Sequence, residues 1–83
     1  MGDFMKIYDY NGKKNLCGAK IKEARRKLGL SQQELAAKLQ TEGINIERDS
    51  VSRIEIGTRF VADYEIKVLC KILGVSADYL LDI

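Results

Sequence analysis

The sequence contains no histidine and no proline, only two cysteines, and no apolar run long enough to cross a bilayer. Without histidine there is no imidazole to complete a zinc set or to act as a general base. Cys17 and Cys70 lie far apart, and each falls within an apolar periodic pattern, which reads as two core thiols rather than a disulfide or a metal site. There is no glycine-rich phosphate loop, and neither cysteine has an activating base beside it. Glu42, Glu47, Asp49 and Glu55 are close in sequence, but helical spacing spreads them over different faces. The expectation is a protein that is not an enzyme, with no catalytic residue, metal or cofactor. The N-terminus lacks the apolar core of a signal peptide, so a cytoplasmic address is expected.

What is present suits one small helical domain. The 83 residues are 46% apolar and 31% charged, enough for a single core of packed helices but not for an enzyme-sized cleft between domains. The net charge of +2 is too small to argue for a nucleic-acid partner, but its distribution is uneven. Residues 1 to 38 hold nine Lys/Arg against four Asp/Glu, and residues 39 to 83 hold five against eight, giving +5 and −3. Lys13 and Lys14 precede a basic segment with Lys20, Lys22, Arg25, Arg26 and Lys27. Such a run is either a solvated helix face or a source of sequence-independent phosphate attraction.

The apolar period predicts five helices. Cys17, Ile21, Ala24 and Leu28 form one stripe of a first helix, capped by Asn15 and ended near Gly29. A second helix follows Ser31, buries Leu35, Ala36 and Leu39, and runs toward Glu42, with Gly43 in a left-handed position. Ile44 and Asn45 form a short turn. A third helix starts near Ile46 or Glu47, buries Val51 and Ile54, and stops at Gly57. A fourth buries Ile66, Leu69, Cys70 and Leu73 between an Asp63 cap and Gly74. A short fifth, capped by Ser76, carries Ala77, Leu80 and Leu81. Residues 1 to 14 alternate weakly around Ile7, Tyr8 and Tyr10, which fits a disordered arm, an extended edge or a partner contact equally.

The stretch from Ile21 to Glu55 carries the functional signal. Ser31 is an oxygen-bearing N-cap, and Glu34, three residues on, completes a capping box. A helix N-terminus that presents Gln32 and Gln33 beside free backbone N–H groups is suited to clamp a phosphate. The third helix buries Val51 and Ile54 and leaves Arg48, Asp49, Ser52 and Arg53 on its other face, as a helix lying in a major groove requires. Arg48 and Arg53 are suited to fork onto guanine, and Asp49 either accepts from cytosine or orients an arginine.

These residues, together with Ile21-Lys22-Glu23-Ala24-Arg25, Gly29-Leu30-Ser31-Gln32, Glu34-Leu35-Ala36, Ser52-Arg53-Ile54-Glu55, Gly57 and Leu73-Gly74-Val75-Ser76, resemble the phage-repressor or XRE-type helix-turn-helix family over about Cys17 to Leu81. The resemblance implies an all-α, compact five-helix bundle of the lambda-repressor-like type over residues 15–83, preceded by a flexible or extended arm over residues 1–14. It implies a sequence-specific regulator of transcription, of bacterial or phage origin, that represses by binding double-stranded DNA. Gln32 and Gln33 then contact phosphate, as do Thr58 and Arg59 in the loop past the third helix, while Arg48, Asp49, Ser52 and Arg53 form the base-reading set. Arg25 and Glu55 are implied to pair across the interior; the alternative for Arg25 is a phosphate contact.

The chain departs from the family pattern in three places. The segment between Leu39 and Val51 is several residues longer than usual, so either the second helix is extended or the third starts early. Glu47 stands where a serine or threonine cap is common, with Asn45 as an alternative cap. Ile56 replaces a polar residue. A genome-scale specificity calls for two units on a two-fold site, so a homodimer is expected, through Tyr79, Leu81 and Ile83; the alternative is that these residues close the monomer core. The competing function is a protein-interaction module of the same fold, such as an antitoxin or adaptor.

Overall fold

A computed structural model describes residues 10–83. The chain forms α1 (Gly18–Lys27), α2 (Gln32–Thr41), α3 (Arg48–Ile56), α4 (Asp63–Leu73) and α5 (Ala77–Leu81). Among the described residues there is no strand, only one isolated bridge between Tyr10 and Lys13. α3 packs against α1 and α2, and α4 closes the other side against α1, α2 and α5. The core is built from Cys17, Ile21 and Ala24 of the α1 region, Leu35, Ala36 and Leu39 of α2, Val51 and Ile54 of α3, and Leu69, Leu73 and Leu80. No helix among the described residues is long and apolar enough to cross a membrane.

Each predicted helix exists, and the differences lie in how its ends are made. The capping box of α2 is complete: Glu34 N–H donates to Ser31 Oγ at 3.0 Å, and Ser31 N–H donates to Glu34 Oε1 at 2.8 Å. The Ser31 backbone N–H, and after it the Ser31 hydroxyl, hold the Glu34 carboxyl below its ordinary range. At the other end Gly43 N–H donates to Gln40 O and Ile44 N–H to Leu39 O, with Gly43 at φ +89°, a Schellman closure.

Of the residues between Leu39 and Val51, Gln40 and Thr41 lie in α2 and Arg48, Asp49 and Ser50 begin α3. Residues 43–47 form an irregular connector that buries Ile44 and Ile46, and Gln40 Nε2 pins it by donating to Ile46 O at 2.6 Å. The cap position of α3 is Glu47, in extended conformation and with no side-chain cap bond. Asn45 does not take that role, since it precedes the cap position by two residues.

Three apolar expectations are corrected. Leu28 is 51% exposed: it sits at the C-cap of α1, where the chain turns away through Gly29. In α4, Ile66 and Cys70 are half-buried, and the third buried residue beside Leu69 and Leu73 is the charged Glu65. Asp63 is the first residue of α4 rather than its cap; Glu65 instead turns back to accept from Ala62 N–H at 2.9 Å. Cys17 and Cys70 are both free thiols, and burial pushes both up, away from the reactive thiolate.

The expected arm falls partly on residues 1–9, which lie outside the described residues. Residues 10–13 form a tight turn, with Tyr10 N–H donating to Lys13 O at 2.7 Å and Lys13 N–H to Tyr10 O at 2.9 Å. Asn11 and Gly12 both have positive φ, +52° and +79°, as an Asn-Gly hairpin turn of type I′ requires. Lys14 N–H then donates to Gly57 O at 2.7 Å, which ties this segment to the end of α3.

Candidate nucleic-acid interface

The base-reading set expected from the sequence lies on the outward side of α3. Val51, Ile54 and Glu55 turn inward, while Arg48, Asp49 and Arg53 are exposed and Ser52 is half-buried. Arg48 Nη2 donates to Asp49 Oδ1 at 3.1 Å, so Asp49 orients an arginine in the free protein. The Arg53 side chain has no hydrogen-bond or ion-pair partner among the described residues, and its guanidinium fork is available. Gln33, Gln40, Glu47, Arg48 and Asp49 line an open hollow of about 390 Å³ between α2 and the start of α3. Gln33 of the expected phosphate clamp and Arg48 of the expected reading face therefore adjoin.

Behind this face is a buried polar network. Arg25 forks onto Glu55, with Nε 2.6 Å from Oε2 and Nη2 3.0 Å from Oε1. Its remaining Nη1 donates to Leu30 O at 2.7 Å, at the corner between α1 and α2. Gln32 Nε2 donates to Glu55 Oε1 at 3.0 Å. The hydrogen bonds to Glu55 raise the Arg25 pKa further, so the guanidinium is permanently charged. One carboxylate thus holds α1, the N-terminus of α2 and α3 together, and no buried side-chain N or O among the described residues lacks a hydrogen bond. Gln32 is consequently half-buried and partly committed, whereas Gln33 is exposed.

The loop after α3 divides the two remaining expected contacts. Gly57, at φ +87°, ends the helix, and Thr58 N–H donates to Arg53 O at 2.8 Å. Thr58 is exposed. Arg59 is engaged: its Nη1 and Nη2 fork onto Glu65 at 3.1 and 3.2 Å, and Nη1 also donates to Phe60 O at 2.9 Å. Burial pushes the Glu65 carboxyl up, but the Arg59 fork and the Ala62 N–H outweigh it and hold the group below its ordinary value.

A scan of family profiles matches the helix-turn-helix family over residues 21–80, which covers α2, the connector, α3 and α4 entirely and most of α1 and α5. The chain belongs to the XRE-type helix-turn-helix family. This is a family of DNA-binding regulators. No curated protein and no solved structure matches the chain. In helix-turn-helix terms α2 and α3 are the paired helices, and the long connector is the turn between them.

Sequence reasoning missed two residues that shape this helix-turn-helix. Gly18 opens α1 directly against the end of α3: a Cβ there would lie 2.2 Å from Ile54 O and 2.9 Å from Glu55 O. A glycine within a helical pattern is itself a sign of close backbone approach, and that signal was available. The second is Glu65, whose partner Arg59 lies on a loop with no periodicity to read.

Proposed function

We propose that this protein is a sequence-specific DNA-binding regulator of transcription that acts as a repressor in the cytoplasm. The observation that carries the proposal is the outward face of α3, where the Arg53 side chain has no partner among the described residues and Arg48 is oriented by Asp49, on a helix braced from behind by the Arg25–Glu55–Gln32 network. Bracing matters because a bidentate contact to guanine O6 and N7 requires the arginine's helix to be held at a fixed angle in the groove. Arg48, Asp49, Ser52 and Arg53 read bases. Gln32 and Gln33 bind phosphate at the N-terminus of α2, where the helix dipole and unpaired N–H groups favour an anion. Thr58 contacts phosphate from the loop, and Arg59, its charge already met by Glu65, contributes less.

The domain over residues 15–83 acts as a homodimer. Leu80 closes the monomer core, and Tyr79 is half-buried with the Lys20 ammonium 4.6 Å from its ring centroid. Ile83 is 86% exposed and Leu81 half-buried, so the end of α5 offers apolar surface to a second copy. Such a dimer sets two reading helices about 34 Å apart on a palindromic site.

Selection of bound sequences from a random DNA pool supplies the test. Arg53→Ala should then cost about 1–3 kcal/mol on the selected site and relax preference at one position, while Gln33→Ala should weaken all sequences alike. Equal losses for Arg53→Ala on selected and random DNA, at one salt concentration, would overturn the base-reading role. A chain that selects no sequence would instead favour the protein-interaction module.

A further inference from the structure

We infer that Asn15 is a positioning residue for DNA recognition: its side-chain amide fixes the end of the reading helix and the loop that follows it. The inference rests on the proposed DNA-binding reading. Asn15 is half-buried between the Tyr10–Lys13 turn and α1. Its Nδ2 donates to Ile54 O at 3.1 Å and to Arg59 O at 2.8 Å. Its Oδ1 accepts from Cys17 N–H at 3.1 Å and Gly18 N–H at 2.8 Å. A primary amide has two N–H donors and one oxygen with two lone pairs, and here all four are used.

The four bonds join three segments: the first turn of α1, the last turn of α3, and the loop that carries Thr58. Helix termini leave N–H and C=O groups without intrahelical partners, and Asn15 serves an N-terminus and a C-terminus at once. Lys14 N–H on Gly57 O, at 2.7 Å, and Lys13 Nζ on Ile56 O, at 3.4 Å, extend the strap to the residues between Ile54 and Arg59. Gly18 lets the strap close, because any side chain there would strike the Ile54 carbonyl that Asn15 binds. Asn15 lies behind the outward face of α3 and acts on DNA only through the angle of α3 and the place of Thr58.

No other side chain of this size offers the same set. Aspartate keeps the oxygen that caps α1 but turns a second oxygen, without a proton, toward the Ile54 and Arg59 carbonyls. Asn15→Asp therefore separates capping from strapping. Its affinity for the selected site should fall about tenfold at fixed salt while its affinity for random DNA changes less than about twofold, so that the specificity ratio itself shrinks. Amide hydrogen exchange in the free protein supplies a readout that needs no DNA. Exchange at Lys14, Gly57 and Thr58 should accelerate, with Ile21 N–H, bonded to Cys17 O, left unchanged.

Equal losses on selected and random DNA, or wild-type discrimination together with wild-type exchange at residues 57–58, would overturn the inference. If the unaltered chain shows no sequence preference, the DNA reading fails, and the exchange pattern alone decides whether Asn15 holds the loop. Asn15→Ser, which keeps a capping oxygen without a carboxylate, carries the same expectations and decides the matter should Asn15→Asp fail to fold.

Discussion

Arg25–Glu55 and Arg59–Glu65 are the same chemical unit, a guanidinium forked onto a carboxylate, set at two depths. In the inner pair the side chains are 9% and 1% exposed; in the outer pair they are 29% and 8% exposed. The inner pair joins helices 30 residues apart in sequence and takes Gln32 and Leu30 into its network. The outer pair joins residues only six positions apart, Arg59 and Glu65. Depth decides what each is worth, because a charge left alone inside has no water to replace its partner, whereas Arg59 is wet enough to recover much of its solvation. A fully buried pair is therefore a demand for both partners at once, and a pair with one partly exposed partner is an adjustment to a loop.

The comparison breaks most directly at the inner pair. Arg25→Ala or Glu55→Ala should each lower stability by about 3–5 kcal/mol, and the double change should cost less than the sum. Denaturant titration of the four proteins measures this, and additive losses would show that the two side chains do not act as one unit. Gly18→Ala approaches the same α1–α3 contact from the backbone, and overpacking against the Ile54 and Glu55 carbonyls should cost about 1–3 kcal/mol. A thermal midpoint unchanged from that of the original chain would mean that α1 shifts freely on α3.

The outer pair should give a smaller effect with a different signature. Glu65→Gln should cost about 1–2 kcal/mol near neutral pH, since it removes a charge-assisted fork that water partly replaces. The folded-state carboxyl lies below its ordinary value of 4.5, so the stability it contributes is present above that value and is lost as the pH falls through the folded pKa. Glu65→Gln should therefore flatten the acid limb of a stability-against-pH curve measured from neutrality to below pH 4.5. An acid limb identical to that of the original chain would remove Glu65 as its cause.

Local signals were read correctly where the chemistry itself is local. The Ser31 capping box, the left-handed Gly43, the helix ends at Gly57 and Gly74, and the inward stripes of α2 and α3 all depend on residues within a few positions of one another. Leu28 was misread because a periodic stripe does not say at which turn the helix ends. Glu65 was missed because an acid beside an apolar stripe looks solvated until a partner from another segment covers it. The connector after α2 shows the same limit: the surplus length was visible, but its burial of Ile44 and Ile46 depends on space that only the packed helices create.

By itself the sequence determined five helices, the Ser31 and Ser76 caps, the outward placement of Arg48, Asp49 and Arg53, and, through family resemblance, the Arg25–Glu55 pair. The tertiary structure alone decided that Gln32 also binds Glu55, that Arg59 is held by Glu65, and that Asn15 ties the start of α1 to Ile54 and Arg59. The physical reason is the range of the interactions. Helix propensity, capping and amphipathic spacing act between neighbours and leave a period in the sequence, whereas a side chain that bonds a carbonyl 39 or 44 residues away leaves none until folding brings the two together.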